Sequence, residues 1–229
     1  MEAKTVKEEA KRIPYGMMNF VAVREDNCYY VDKTRFIEKV EKANKFFFFI
    51  RPRRFGKSLT MSMLRHYYDI NQTDKFDSLY GNLYIGKHPT PNHNKYLIIY
   101  LNFAVVNADL GNYRSALDAH CRTEFTILCD RYSSLLPSNL KENLMKEDGA
   151  VKQLDILYKV ANEVGLKIYL FIDEYDHFTN HILSDAARLD EYKGETHGTG
   201  YLRTFFDTIK AGTDSSIERV FITGVSPVT

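Results

Sequence analysis

The chain has 229 residues, 44% of them apolar and 27% charged, and carries a net charge of +1. That length buries a substantial core in a single domain, 1–229, and the balanced charge supplies no global field to draw the protein onto nucleic acid or an anionic membrane. The apolar runs fall far short of the ~18 to 20 residues of a membrane span, and nothing reads as a signal peptide, so a cytoplasmic protein is expected.

Residues 1–44 read as a lead-in to a core over 45–229. The first twelve alternate Glu with Lys or Arg and predict an exposed helix. Phe20 to Val31 alternates around Glu25-Asp26-Asn27 and predicts a hairpin. Asp32 is placed to cap a helix whose apolar positions are Phe36, Ile37 and Val40. Phe46 to Ile50 is an apolar strand, and a helix follows over Leu59 to Tyr68, with Leu59, Met63 and His66 or Tyr67 facing inward. Residues 71–95 are rich in loop formers (Gly81, Gly86, Pro89, Pro91), and Tyr96 to Phe103 is a further strand. Tyr113 to Val164 is helical in pattern, broken at Pro137 and Gly149. Ile168 to Ile172 has five apolar residues in a row and reads as a strand buried on both faces, as in a parallel sheet covered by helices. Ser184 to Gly200 is polar and reads as a lid or a long surface loop, and Arg219 to Gly224 is the last strand. Cys28, Cys121 and Cys129 lack Cys-x-x-Cys spacing and read as reduced thiols.

The chemistry is concentrated after the first of these strands. Arg51-Pro-Arg-Arg-Phe-Gly-Lys-Ser58 joins strand to helix, the setting in which backbone N–H groups and the helix dipole hold phosphate. Lys57 would reach the β- and γ-phosphates of a nucleoside triphosphate, and the Ser58 hydroxyl would ligate Mg²⁺. A full phosphate loop also has a glycine five residues before Gly56. Here that residue is Arg51, beside a proline with no N–H, so the context must carry the reading.

Asp173 and Glu174, at the end of the buried strand, supply that context. Ligands of open α/β sheets bind beyond the carboxyl ends of the strands, where loop and acid pair would converge. Asp173 would hold the Mg²⁺ shell opposite Ser58, and Glu174 would orient or deprotonate the attacking water. The alternative is that the two acids cap the helix from Tyr175 onward. Thr223 ends the last strand, either as a sensor of the γ-phosphate or as the cap of a turn before Gly224.

These stretches resemble the AAA-ATPase-like domain family of bacterial and archaeal proteins, in which a PD-(D/E)XK nuclease-like domain often follows. The resemblance runs through Ile13-Pro-Tyr-Gly16 with Asn19-Phe20, Tyr29 to Thr34, Phe49 to Leu59, Leu83 to Gly86, Ile172 to Asp176 and Ile222 to Pro227, in that order. The string Arg-Pro-Arg-Arg-Phe-Gly-Lys-Ser is its most specific part, since the family is similar in placing arginine where other phosphate loops keep their first glycine. The resemblance implies an α/β P-loop NTPase fold: a mainly parallel sheet sandwiched by helices, with an extra strand between the phosphate-loop (Walker A) and Walker B strands. It implies ATP and Mg²⁺ as ligands, with Arg51, Arg53, Arg54, Phe55, Gly56, Lys57, Ser58 and Leu59 around the nucleotide. Ser58 and Asp173 would lie at the metal, and Lys57, Glu174 and Thr223 would be the catalytic set. The chain stops at Thr229 directly after a strand, as at a truncation. The nuclease-like domain, and any nucleic acid it engages, is therefore expected outside these residues.

Several features keep competing readings. Arg51, Arg53 and Arg54 would clamp the triphosphate in place of lost backbone donors, or face solvent or rim carboxylates, or touch nucleic-acid phosphates. Tyr15 would pass near the adenine or pack on the sheet edge. His177 and His181 stand four apart, with Asp173 four before, a spacing that binds zinc. The glutamate that a zinc peptidase needs after its first histidine is missing, so they read as exposed or capping residues. For the whole chain the leading expectation is an ATPase. The rivals are a nucleotide-gated switch with negligible turnover and, more weakly, a nucleic-acid-processing module.

Overall fold

The computed structural model describes residues 10–106, 113–176 and 200–225. It is an α/β fold built on a four-stranded sheet: β1 (Phe46–Ile50), β2 (Tyr96–Asn102), β3 (Lys167–Asp173) and β4 (Ile217–Gly224). All three pairings are parallel and the spatial order is β1-β4-β3-β2, so the last strand in sequence lies between the first and the third. The arrangement is compatible with a P-loop-like fold.

Parallel strands require long crossovers, and helices supply them on both faces. After β1 come α3 (Lys57–Tyr68), a 3-10 turn over Ile70–Lys75, α4 (Phe76–Tyr80) and α5 (Tyr84–Lys87). After β2 come α6 (Tyr113–Arg131), α7 (Leu140–Lys146) and α8 (Ala150–Glu163), and α9 (Tyr201–Gly212) leads into β4. The period-2 alternation of each strand sorts its side chains between two cores. Leu97, Ile99, Ile168, Leu170, Val220 and Ile222 pack with α6, α8 and α9. Ile98, Tyr169, Phe171 and Phe221 pack with Met61, Leu64, Tyr67 and Tyr68 of α3.

The second core is aromatic. Phe47 stacks on Phe221 at 5.4 Å between centroids, Phe221 lies 5.8 Å from Phe171, and Phe171 stacks on Tyr169 at 4.4 Å. This row, which crosses three strands, explains why a run of phenylalanines serves as β1. Phe47 and Phe49 turn toward α3, whereas Phe48, on the opposite face, stays half exposed with its ring edge against Tyr175. Full burial of each such ring contributes about 1.5–3 kcal/mol.

The first part of the chain departs from its predicted pattern. Residues 20–25 form helix α1 (Phe20–Glu25), not one arm of a hairpin. Asn19 caps it, accepting from the backbone N–H groups of Val21 (2.9 Å) and Ala22 (3.3 Å), and Phe20 and Val23 share one buried face. Phe20 stacks on Tyr80 at 5.2 Å, and its N–H donates to Ser62 Oγ on α3 at 3.0 Å, so tertiary contacts outweigh the local alternation.

Residues 10–12 are not helical. The Arg12 carbonyl accepts from the Tyr29 N–H (2.9 Å), and its guanidinium pairs with Asp26 (2.7 Å). Residues 1–9 lie outside the described set, as does most of the polar stretch 184–200. Asp32 does act at a helix start, but of two elements. It accepts from the Thr34 N–H ahead of a 3-10 turn and α2 (Ile37–Lys42), and from the Tyr84 N–H at the start of α5. The segment 71–95, expected as loop, holds short helices because Asp69 caps the turn after it and Tyr80 anchors its hydroxyl on the Met63 carbonyl at 2.7 Å.

Candidate functional site

The parallel register brings the carboxyl ends of all four strands to one rim. Ile50 is level with Gly224, and Asn102 with Asp173. The β1–α3 loop, 51–56, leaves that rim and remains tied to it, since the Arg51 N–H donates to the Gly224 carbonyl at 3.2 Å. Within the loop Arg54 (φ 66°) and Gly56 (φ 75°) both take the left-handed conformation. For Gly56 this is free of steric cost. Such turns make backbone concavities that suit anions.

α3 then begins at Lys57, whose side chain is only 4% exposed. Its ammonium donates to the carbonyls of Arg51 (3.1 Å) and Pro52 (3.3 Å) and lies 3.8 Å from Glu174 Oε1. A lysine from the first third of the chain and an acid after β3 thus share the rim. Glu174 has φ 53°, an uncommon conformation for a residue with a side chain and one that costs about 1–2 kcal/mol. Strain of this kind clusters at functional sites.

Asp173 is buried, 3% exposed, and its partners among the described residues are all neutral. The Thr223 hydroxyl donates to Oδ1 from β4, and the Glu174 N–H reaches the same oxygen at 3.1 Å. The Tyr100 hydroxyl, from β2, approaches Oδ2 at 3.4 Å. Among the described residues no cationic side chain pairs with Asp173, although a buried carboxylate needs a counter-charge. Nor does any group of three His, Cys, Asp or Glu side chains gather as a metal cage among them. One carboxylate at the end of β3 and the Ser58 hydroxyl in the first turn of α3, without a cage, make a donor set that suits Mg²⁺, which takes few protein ligands and completes its shell with water and phosphate. The residues present fit that ion.

Thr223 therefore does not cap a turn. It is fully buried within β4, where it touches Asp173 and lies within 3.4 Å of the Glu174 N–H. Ser58 sits half-buried in the first turn of α3, and no hydrogen bond joins it to Asp173. Arg51, Arg53, Arg54 and Phe55 are exposed, and Leu59 is half-buried. None of the three arginines pairs with a carboxylate among the described residues, and Arg51 lies over the Phe49 ring at 5.5 Å. Tyr15 does not pack on the sheet edge but is 94% exposed in a turn closed at Gly16. His177 and His181 lie outside the described residues.

Two residues, Tyr100 beside Asp173 and Arg65 behind that ring, carried no recognisable signal in the sequence. Tyr100 sits mid-strand in an apolar run, and only its register opposite Phe171 puts its hydroxyl near Asp173. Burial, then the Asp173 charge, pushes its phenol up to about 12. The Arg65 guanidinium covers the Tyr100 ring at 3.8 Å, and burial lowers its own pKa. Asp176 is buried and accepts the Val225 N–H at 2.8 Å, pinning the chain where it leaves β4.

An uncharacterised protein encoded in the vnfD 5′ region of Azotobacter chroococcum mcd 1 is 24% identical over 225 residues, covering 94% of this chain. The chain spans only 37% of that relative's length. No solved structure matches. A family model described as "Predicted AAA-ATPase" matches residues 14–229, and the chain belongs to this AAA-ATPase-like family.

Proposed function

We propose that the rim binds ATP with Mg²⁺ and hydrolyses it. The observation that carries the reading is a buried ammonium, Lys57, 3.8 Å from Glu174, beside a buried carboxylate, Asp173, whose partners among the described residues are all neutral, at the end of a parallel sheet. Asp173 lacks a cationic partner among the described residues, and Lys57 holds only a 3.8 Å ion pair with Glu174 and two backbone carbonyls; a magnesium triphosphate brings a cation to the first and phosphate oxygens to the second.

In this reading the loop 51–56 and Lys57 receive the β- and γ-phosphates, and the ammonium exchanges the Arg51 and Pro52 carbonyls for phosphate oxygens. Ser58 and Asp173 hold the ion, which when bound offsets the charge of the phosphate oxygens. Glu174 accepts a proton from water as the water oxygen bonds to the γ-phosphorus and the bridging bond to ADP breaks. Thr223 keeps Asp173 in place and reports the state of the γ-phosphate to β4. The exposed Arg51, Arg53 and Arg54 are free to close on the triphosphate, because no rim carboxylate engages them among the described residues.

The test is a titration of the purified protein with a fluorescent ATP analogue in Mg²⁺, followed by phosphate release over hours. Saturable binding with sustained release that disappears in Lys57→Ala is the expected result. Stoichiometric binding without release would make the domain a nucleotide-gated switch, and no binding at millimolar nucleotide would overturn the proposal.

A further inference from the structure

Asp173 has two carboxylate oxygens, and different strands hold them. Thr223 on β4 engages Oδ1, and Tyr100 on β2 faces Oδ2. The first contact lies within the set expected from the sequence, whereas the second does not. Tyr100, Asp173 and Thr223 all project toward α3, since Tyr100 is level with Phe171 and Asp173 follows Phe171 by two.

The phenol is itself held from the α3 side. Arg65, in the last turn of that helix, lays its guanidinium on the Tyr100 ring at 3.8 Å, close for a cation over an aromatic face. Arg65 Nε is buried without a hydrogen-bond partner. The ring is a favourable contact of that guanidinium, beside the charge of Glu124. It cannot swing from Asp173 without uncovering a buried cation. The helix that begins at Lys57 and Ser58 thus ends on the tyrosine that faces Asp173.

We propose that Tyr100, clamped by Arg65, is the positioning residue that sets the orientation of the Asp173 carboxylate for the divalent cation. The inference rests on the magnesium-nucleotide reading above. Rotation about the Cβ–Cγ bond moves both oxygens, so a contact at Oδ2 adds to the restraint that Thr223 and the Glu174 N–H place on Oδ1 and narrows the directions in which the remaining lone pairs point. Partners of this kind behind a metal ligand commonly set metal affinity by about 10- to 100-fold. At 3.4 Å the Tyr100 contact belongs at the lower end. It tightens as the carboxylate settles on the ion. The tyrosine touches neither nucleotide nor water in this scheme, so its removal acts on metal dependence and leaves metal-free nucleotide binding alone.

The experiment is a Mg²⁺ titration of fluorescent ATP-analogue binding, run beside the same titration in EDTA, for wild type, Tyr100→Phe and Arg65→Gln. Tyr100→Phe removes one oxygen and keeps the ring under the guanidinium. Its Mg²⁺ midpoint is expected to rise about 10-fold with the EDTA affinity unchanged. Arg65→Gln shifts the midpoint in the same direction through loss of the clamp. Unchanged midpoints in both variants, with a normal wild-type titration, overturn the positioning role alone. Equal loss of binding with and without Mg²⁺ also overturns it, because that result marks general damage to the rim. Failure of the wild type to bind nucleotide removes the reading beneath it.

Discussion

The ammonium of Lys57, at the first position of α3, stands 3.8 Å from the carboxylate of Glu174, just beyond the end of β3. The two are distant in sequence, and the only covalent path between them runs through two further elements of the sheet and its helices. Their closeness means that one charge change at either residue is felt by the other, although they serve different steps in the proposed reaction.

Variants of the pair are expected to separate binding from turnover. Lys57→Ala removes the phosphate contact and weakens nucleotide affinity by about 10- to 100-fold. Glu174→Gln keeps the size and most of the polarity of the side chain, preserves binding, and lowers phosphate release by about 10²- to 10⁴-fold. Calorimetric titration and a phosphate-release assay on the same preparations measure the two effects. Wild-type turnover in Glu174→Gln would remove that carboxylate from the mechanism.

Gly224 has no room for a side chain. A Cβ there would come within 2.5 Å of the Tyr175 ring and 2.7 Å of Asp176 Oδ1, both beside the acid pair. Gly224→Ala is expected to destabilise the fold by about 1–3 kcal/mol, as overpacking usually does, and to weaken nucleotide binding by displacing Glu174. Urea denaturation measures the first part. A midpoint equal to wild type would mean that the residues after β3 yield freely.

His66 provides a pH test remote from the rim. Burial first, then the charges of Arg65, Arg131 and Lys75, lower its pKa from 6.5 to about 4, while a contact with Gln72 acts the other way. The folded value lies below the unfolded one, so the unfolded chain binds the proton more readily. The associated stability is present above pH 6.5 and is lost as pH falls toward about 4, by up to about 3 kcal/mol. Denaturation across this range should show a steeper acid limb in wild type than in His66→Gln. Identical limbs, or an NMR titration of His66 near 6.5, would contradict the assignment.

The cap of α1 is separable from the site. Asn19→Ala removes two hydrogen bonds to Val21 and Ala22 and should cost about 1 kcal/mol in thermal or chemical denaturation, with nucleotide affinity unchanged. No loss of stability would show that Phe20, packed between Tyr30 and Tyr80, holds the helix without its cap.

Much of this protein was legible in its residues. The apolar runs Phe46 to Ile50, Tyr96 to Phe103, Ile168 to Ile172 and Arg219 to Gly224 mark the four strands of the described sheet, and a fully buried run such as Ile168 to Ile172 has few places to go except the interior of a parallel sheet. Asp173 and Glu174 were legible as a candidate site because they close one such run, and Lys57 because it opens the helix after the loop that follows another. The helix over residues 20–25 was not legible, since short amphipathic segments satisfy helical and strand periods alike, and packing of Phe20 on α3 and Tyr80 decides between them. Tyr100 and Arg65 were hidden for a related reason. A tyrosine in a strand and an arginine in a helix are ordinary, and only strand register and the rotation of α3 bring phenol, guanidinium and carboxylate together. The sequence determined which segments form the sheet and which charges stand at its rim, because those follow from local pattern. The tertiary structure alone decided how Asp173 is held, because that depends on which neighbour each strand acquires.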